Sequence, residues 1–205
     1  MSGFSRDEGW RADLRLLARE IKRRAYAPFA VISEEDFDRA VDDLAGQIPG
    51  LTDAQVIVGM MKLLRHLGDG HAFIEAPADD HELALALPVE FYQLAEGVFV
   101  TAAGPASQRL LGARLDKIDG RPVQDVMAAL DPIISRDNDQ EVAFKVPALL
   151  RRLPFLHALG LTAEPGLATL AVRFPDESSG DVTVDAVPST EPAGHDLACR
   201  TGMTL

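Results

Sequence analysis

The sequence has a single cysteine, Cys199, which excludes an intramolecular disulfide and fits a reducing compartment. It is also short of basic residues: 20 Lys and Arg stand against 32 Asp and Glu, leaving a net charge of −12. Only Lys22, Lys62, Lys117 and Lys145 are lysines. Phosphate binding rests on clustered Lys and Arg, so this balance argues against a nucleic-acid partner. Lys22-Arg23-Arg24 falls where a helix C-terminus favours cations, and it reads as a solvated helix end.

No apolar run approaches the roughly 20 residues that span a bilayer, and no membrane partner is expected. The opening residues, Met1-Ser2-Gly3-Phe4-Ser5-Arg6-Asp7-Glu8, have no apolar stretch of the secretory type. The expectation is a cytoplasmic, acidic protein.

Signatures of bound groups are missing as well. His66 and His71 are five apart across a helix end, with His81 beyond, but no zinc-type H-E-x-x-H spacing occurs and His81-Glu82 lacks its second histidine. Gly68-x-Gly70 lacks the third glycine of a dinucleotide fingerprint and follows a helix rather than a strand. Neither a metal nor an organic cofactor is expected. His157 lies in an apolar segment and reads as a core-edge residue, and Cys199 lies in an aperiodic tail. No serine occupies a G-x-S-x-G nucleophile elbow.

What is present is a globular composition: 47% of the 205 residues are hydrophobic and the mean hydropathy is +0.02, enough for a sizeable core. The first 75 residues predict three helices. Ser5 with Glu8 forms a capping box, in which each side chain satisfies the other residue's free backbone donor. The apolar stripe behind it is Trp10, Leu14, Leu17 and Ile21, ended by Ala27-Pro28. Ser33 with Asp36 starts a second helix in a weaker version of the box, with Phe37, Val41, Leu44 and Ile48 as its stripe and Pro49-Gly50 as its stop. Thr52 with Gln55 starts a third, running through Val56, Met60, Leu63, Leu64 and Leu67 to Gly68.

Beyond residue 80 the period changes. Residues 87–94 and 98–101 predict strands separated by Glu96-Gly97. Residues 113–118 alternate in period 2 and meet Asp119-Gly120, a hairpin turn in which both residues tolerate positive φ. A short helix is expected at 125–130, and an irregular helical stretch at 141–159 limited by Pro147 and Pro154. Residues 169–174 and 181–187 predict a final hairpin. From 188 onward there is no periodicity, and a disordered tail is expected.

Leu67-Gly68-Asp69-Gly70-His71-Ala72 is the most informative segment. Two glycines bracket an aspartate, so the backbone can adopt turns closed to other residues. A histidine on such a turn, just past a rigid helix, is held yet reachable, as a general base must be. Asp69 could orient it, although stabilising the turn is the commoner role for such an aspartate.

Gly68-Asp69-Gly70-His71 after a leucine-rich helix, preceded by a tryptophan-led first helix, resembles the N-terminal helical part of the tricorn core and its tail-specific serine peptidase relatives. The resemblance implies that His71 is the base for a serine in a later domain. Ala103-Gly104-Pro105-Ala106 followed by 111–123 resembles the central portion of a PDZ-like domain, which binds peptides by adding them as a strand to an open edge. The likeness covers roughly residues 8–188. The family carries its nucleophile and oxyanion donors in a downstream α/β domain, which the 205 residues do not include.

The expectation is therefore α+β: an N-terminal three-helix bundle over 1–80, a PDZ-like domain over 81–188 with a helical insertion at about 132–165, and an irregular tail over 189–205. The implied function is the substrate-guiding portion of a serine peptidase, inactive alone because acyl transfer needs the nucleophile and base together. Its partners would be a peptide or unfolded protein substrate and the missing catalytic domain. Two alternatives stand beside it: a non-catalytic PDZ-like peptide-binding module, and a relative that binds a small apolar ligand.

Overall fold

The computed structural model describes residues 5–75, 80–189 and the backbone of 195–196. It is a mixed α+β structure, 46% helical and 21% strand. The chain divides into two compact units: Met1–Glu75 with Pro132–Glu141, and Ala76–Asp131 with Val142–Leu205. Residues 132–141, expected within an insertion of the second domain, thus cluster with the first.

Three helices build the first unit: α1 (Arg6–Arg24), α2 (Glu34–Gln47) and α3 (Asp53–Arg65). All three start where the sequence predicts. Ser5 donates its backbone N–H to Glu8 Oε2 at 2.8 Å while Glu8 N–H reaches Ser5 Oγ, and Thr52 and Gln55 make the same exchange. At α2 the aspartate is one methylene shorter. Asp36 N–H still donates to Ser33 Oγ, but the Asp36 carboxylate accepts from the Ser33 hydroxyl instead of the backbone.

Leu14 and Ile21 of α1, Phe37, Val41 and Leu44 of α2, and Val56, Met60, Leu63 and Leu64 of α3 share one buried core with Ile48 and Leu67. Trp10 and Leu17 are partly buried against it. Polar contacts fix the start of α1 against α3. Asp53 Oδ1 accepts from Trp10 Nε1 and from Arg6 Nε, both at 2.7 Å, and Arg6 also donates to the carbonyl of Leu51. The basic end of α1 is ion-paired: Lys22 meets Glu34 and Asp38, and Arg23 and Arg24 meet Glu20.

The second unit is a sheet with helices. Its strands are β1 (Leu85–Ala86), β2 (Val89–Leu94), β3 (Gly97–Ala103), β4 (Arg114–Ile118), β5 (Arg121–Pro122), β6 (Leu167–Arg173), β7 (Ser179–Asp185), β8 (Val187–Pro188) and β9 (His195–Asp196). The main sheet runs β2-β3-β4-β6-β7, with β5 paired to β4 and β9 to β3, and β1 pairs with β8 separately. Every pairing is antiparallel.

The strand expected at 87–94 starts at Val89, because Pro88 has no N–H to give a ladder. The Pro88 carbonyl accepts from Gly104 and Leu87 N–H donates to the Arg151 carbonyl. The Asp119-Gly120 turn forms as predicted, with φ of 47° and 76°.

Helices α4 (Val123–Leu130), α5 (Gln140–Leu150) and α6 (Leu153–Ala158) complete the chain. The helical stretch expected at 141–159 is therefore two helices. Pro147 lies inside α5, and Pro154 opens α6 at a position where its missing donor costs nothing. Helix α4 buries Val123, Val126 and Leu130 and packs on β4 and β5. Arg151 joins Glu90 in an ion pair and donates to the Leu87 carbonyl. Of the tail expected at 189–205, His195–Asp196 pairs with Ala102–Ala103 of β3, and 190–194 and 197–205 lie outside the described residues. Among the described residues, no helix is long and apolar enough to cross a membrane.

Candidate functional site

The site belongs to the first unit and is built on the stop signal of α3. Gly68 has φ of 66°, and its N–H donates to the Arg65 carbonyl as the helix unwinds. A side chain at Gly68 would bring its Cβ within 2.8 Å of Val31 Cγ2, so both conformation and space call for glycine there.

Asp69 makes the next bend. Its Oδ1 accepts from the backbone N–H of His71 at 2.8 Å, the two-residue reach of an Asx turn, and its carbonyl accepts from Ala72. Gly70 N–H donates to Asp137 Oδ1 at 2.7 Å, across 67 residues of sequence. A Cβ on Gly70 would lie 2.2 Å from Glu141 Oε2.

His71 follows, its side chain 92% exposed, with Nδ1 at 3.5 Å from Asp69 Oδ1 and 3.8 Å from Asp137 Oδ2. These are ion-pair separations, longer than hydrogen bonds. Catalytic hydrogen bonds are often this long before substrate binds and shorten in the working complex.

The partner segment is itself braced. Asn138 Oδ1 accepts from the backbone N–H groups of Gln140 and Glu141, holding the chain as it enters α5. Glu141 Oε1 accepts from Asp137 N–H at 3.3 Å and from Asn138 Nδ2 at 3.4 Å.

Chemically the cluster presents an accessible imidazole with one ring nitrogen turned to two carboxylates. Such a group can exchange protons at its other nitrogen. Asp69, His71 and Asp137 also place one ligand atom each within 4.8 Å of one another, so these are the residues that could hold a divalent ion. Imidazole and carboxylate are donors of the kind zinc accepts.

The sequence pointed to His71 and Asp69, and the structure sets them side by side. It did not point to Asp137, which reaches the loop from a distant segment with no local signal beyond the run Asp137-Asn138-Asp139. Three other histidines have described side chains. His66 closes α3, His81 lies in an exposed turn, and His157 Nδ1 is 3.0 Å from the Thr162 carbonyl. Cys199 lies outside the described residues.

No protein-family model matches the chain, and no curated protein matches it significantly. Solved structures do. The structure of mature CPAF complexed with lactacystin is similar over 97% of this chain and 38% of that chain, with a TM-score of 0.60 and 20% identity. Mature CPAF alone gives 0.59 at the same identity and coverage, and a mutant form gives 0.57 at 19% identity over 88% of this chain. CPAF is a chlamydial serine protease. At this identity the likeness is one of fold, and the chain spans little more than a third of those structures' length.

Proposed function

We propose that this chain is the histidine-bearing, substrate-guiding portion of a serine peptidase of the tail-specific and tricorn type, with the α1–α3 bundle presenting His71 as general base. The observation that carries the reading is the pair of carboxylates facing His71 Nδ1 at 3.5 and 3.8 Å. A neutral imidazole carries a proton on one nitrogen and a lone pair on the other. A carboxylate beside Nδ1 favours the proton there and leaves the Nε2 lone pair to accept from a hydroxyl. The fold likeness to CPAF supports the same reading.

In this chemistry Nε2 takes the proton of a serine hydroxyl as its oxygen attacks the peptide carbonyl, then returns it to the departing amine. The serine comes from outside the 205 residues. Among the described serines, Ser5 and Ser33 cap helices, Ser107 and Ser135 are buried, Ser178 donates its hydroxyl to Asp176, Ser179 opens β7, and Ser189 N–H donates to the Ala84 carbonyl. The isolated chain is accordingly expected to cleave nothing.

Two assays test this. Purified chain is incubated with fluorogenic peptides, where sustained hydrolysis lost in His71→Ala would show that a nucleophile is already present. The complete coding region, including whatever follows the Leu205 codon, is then expressed and assayed. Peptide hydrolysis that falls by several orders of magnitude in His71→Ala supports the base assignment, and hydrolysis indifferent to that change removes it.

A second reading, a PDZ-like peptide-binding module, is favoured by one feature of the second unit. Among the described residues, strand β2 lies at one end of the main sheet, with β7 at the other, and its Tyr92 and Leu94 are exposed. An added peptide strand would pair there. Titration with peptides bearing free or amidated C-termini separates the readings: carboxylate-dependent binding with no cleavage in the complete gene product favours the module.

A further inference from the structure

We propose that Asp137 is the positioning residue of His71, the carboxylate that fixes which imidazole nitrogen carries the proton, while Asp69 serves the backbone of the turn. This rests on the reading of His71 as a base and extends it to a residue 66 positions away.

The two carboxylates are committed differently. The Asp69 oxygen nearest the ring, Oδ1 at 3.5 Å, already accepts from the backbone N–H of His71 at 2.8 Å. That bond makes the turn whatever the imidazole does. Asp137 divides its labour between two oxygens. Oδ1 accepts from Gly70 N–H at 2.7 Å, and Oδ2 faces His71 Nδ1 at 3.8 Å. A carboxylate fixed through one oxygen to the residue next to the histidine has its other oxygen oriented in the frame of the same loop. A hydrogen bond of about 2.8 Å then requires about 1 Å of closure. The imidazole is 92% exposed, so rotation of its own side chain can supply that movement.

Asp137 is held in turn by the Glu141 carboxylate, which accepts its backbone N–H. Among the described residues, the charged groups that face the imidazole include Asp69 and Asp137, with Glu141 and the Arg136–Asp139 ion pair on the segment that carries Asp137. Asp69 lies on the histidine's own turn. Asp137 reaches it from another part of the chain and is tied to the turn through Gly70 N–H.

The test uses this chain and needs no peptidase activity. Nitrogen-detected correlation spectra of the neutral imidazole, assigned by loss of the signals in His71→Gln, report which nitrogen is protonated. The wild type is expected to carry the proton mainly on Nδ1. Asp137→Asn keeps an oxygen for Gly70 N–H but removes the charge, and is expected to move the proton mainly to Nε2. Asp137→Glu, which restores a carboxylate, should recover Nδ1 protonation at least in part. Asp69→Asn should shift the backbone signals of the turn while leaving the proton on Nδ1.

A wild type protonated mainly on Nε2 overturns the proposal even if a variant misfolds. So does an Asp137→Asn variant that keeps Nδ1 protonation, or loss of that protonation in Asp69→Asn alone. If the base assignment fails instead, the tautomer result stands and hydrolysis by the complete gene product ignores His71. If both hold, Asp137→Asn in that product lowers kcat by up to about 10⁴-fold with little change in KM.

Discussion

Asp119 and Thr169, fifty residues apart, hold each other through two hydrogen bonds. Asp119 N–H donates to the Thr169 carbonyl at 2.8 Å, and Thr169 N–H donates to Asp119 Oδ1 at 2.7 Å. The second carboxylate oxygen accepts from Ala163 N–H at 2.9 Å. One side chain at a positive φ of 47° thus closes the β4–β5 turn and fixes the approach to β6.

Asp119 should therefore be less replaceable than a turn residue chosen for conformation alone. Asp119→Gly relieves the backbone and loses both side-chain acceptors, Asp119→Asn keeps one carbonyl oxygen for two donors, and Asp119→Ala loses the acceptors and keeps the strain. The expected order of destabilisation is Asn, then Gly, then Ala, with Ala costing about 2–3 kcal/mol from two unpaired donors and a left-handed backbone. Urea midpoints of the three variants check the order. A glycine variant as stable as wild type would show that only the turn geometry matters.

Gly70→Ala is expected to destabilise the first unit by about 1 kcal/mol. The new methyl must displace the Glu141 carboxylate, whose Oε2 lies 2.2 Å from the Cβ position. Glu141 is a flexible side chain, but it gives up its contacts with Asp137 and Asn138 when it moves. The same substitution made in a Glu141→Ala background should then cost measurably less, a coupling that a double-mutant cycle reads directly. Strict additivity would place the conflict elsewhere.

Gly68 and Gly120 separate conformation from space. Both have positive φ, 66° and 76°. A Cβ at Gly120 meets nothing within 4 Å, whereas one at Gly68 lies 2.8 Å from Val31 Cγ2. Gly120→Ala should cost about 1 kcal/mol of backbone strain, and Gly68→Ala more. Val31→Ala, which removes the obstructing methyl, should bring the cost of Gly68→Ala down toward that of Gly120→Ala. Equal costs in the wild-type background would mean that Val31 moves aside freely.

What could be seen in the sequence follows from the range of the forces involved. Ser5, Ser33 and Thr52 start helices through bonds to residues three positions on, so the signals for α1, α2 and α3 are local and survive reading one residue at a time. Asp119-Gly120 is legible for the same reason. The paired strands Leu85–Ala86 and Val187–Pro188 have two residues each, too short for any period to show. Arg151, which binds Glu90 and the Leu87 carbonyl, sits in a helical stretch whose pattern says nothing of a strand that starts at Val89, 62 residues earlier. Half of the candidate site was visible for the local reason: Gly68, Asp69, Gly70 and His71 are consecutive. Asp137 was not, because its bond to Gly70 answers to tertiary packing and leaves no pattern near either residue.

Acid should weaken the helix starts before it touches the core. The Glu8 carboxyl is held below its ordinary value of 4.5 by the backbone N–H and then the hydroxyl of Ser5. Asp36 is held below its ordinary 3.8 by the Ser33 hydroxyl and then by Arg39. A carboxyl whose folded value is depressed binds its proton more readily in the unfolded chain. Its contribution is therefore complete above the ordinary value and is lost as pH falls through the folded one. Stability of the first unit should accordingly decline as pH drops below 4.5, and the decline should be shallower in a Glu8→Gln, Asp36→Asn double variant, which has nothing to protonate at either cap. Urea midpoints followed by the emission of Trp10, the one tryptophan in the sequence, provide the measurement, since its indole donates to Asp53 at the start of α3. Parallel pH profiles for wild type and double variant would assign the acid sensitivity to other groups.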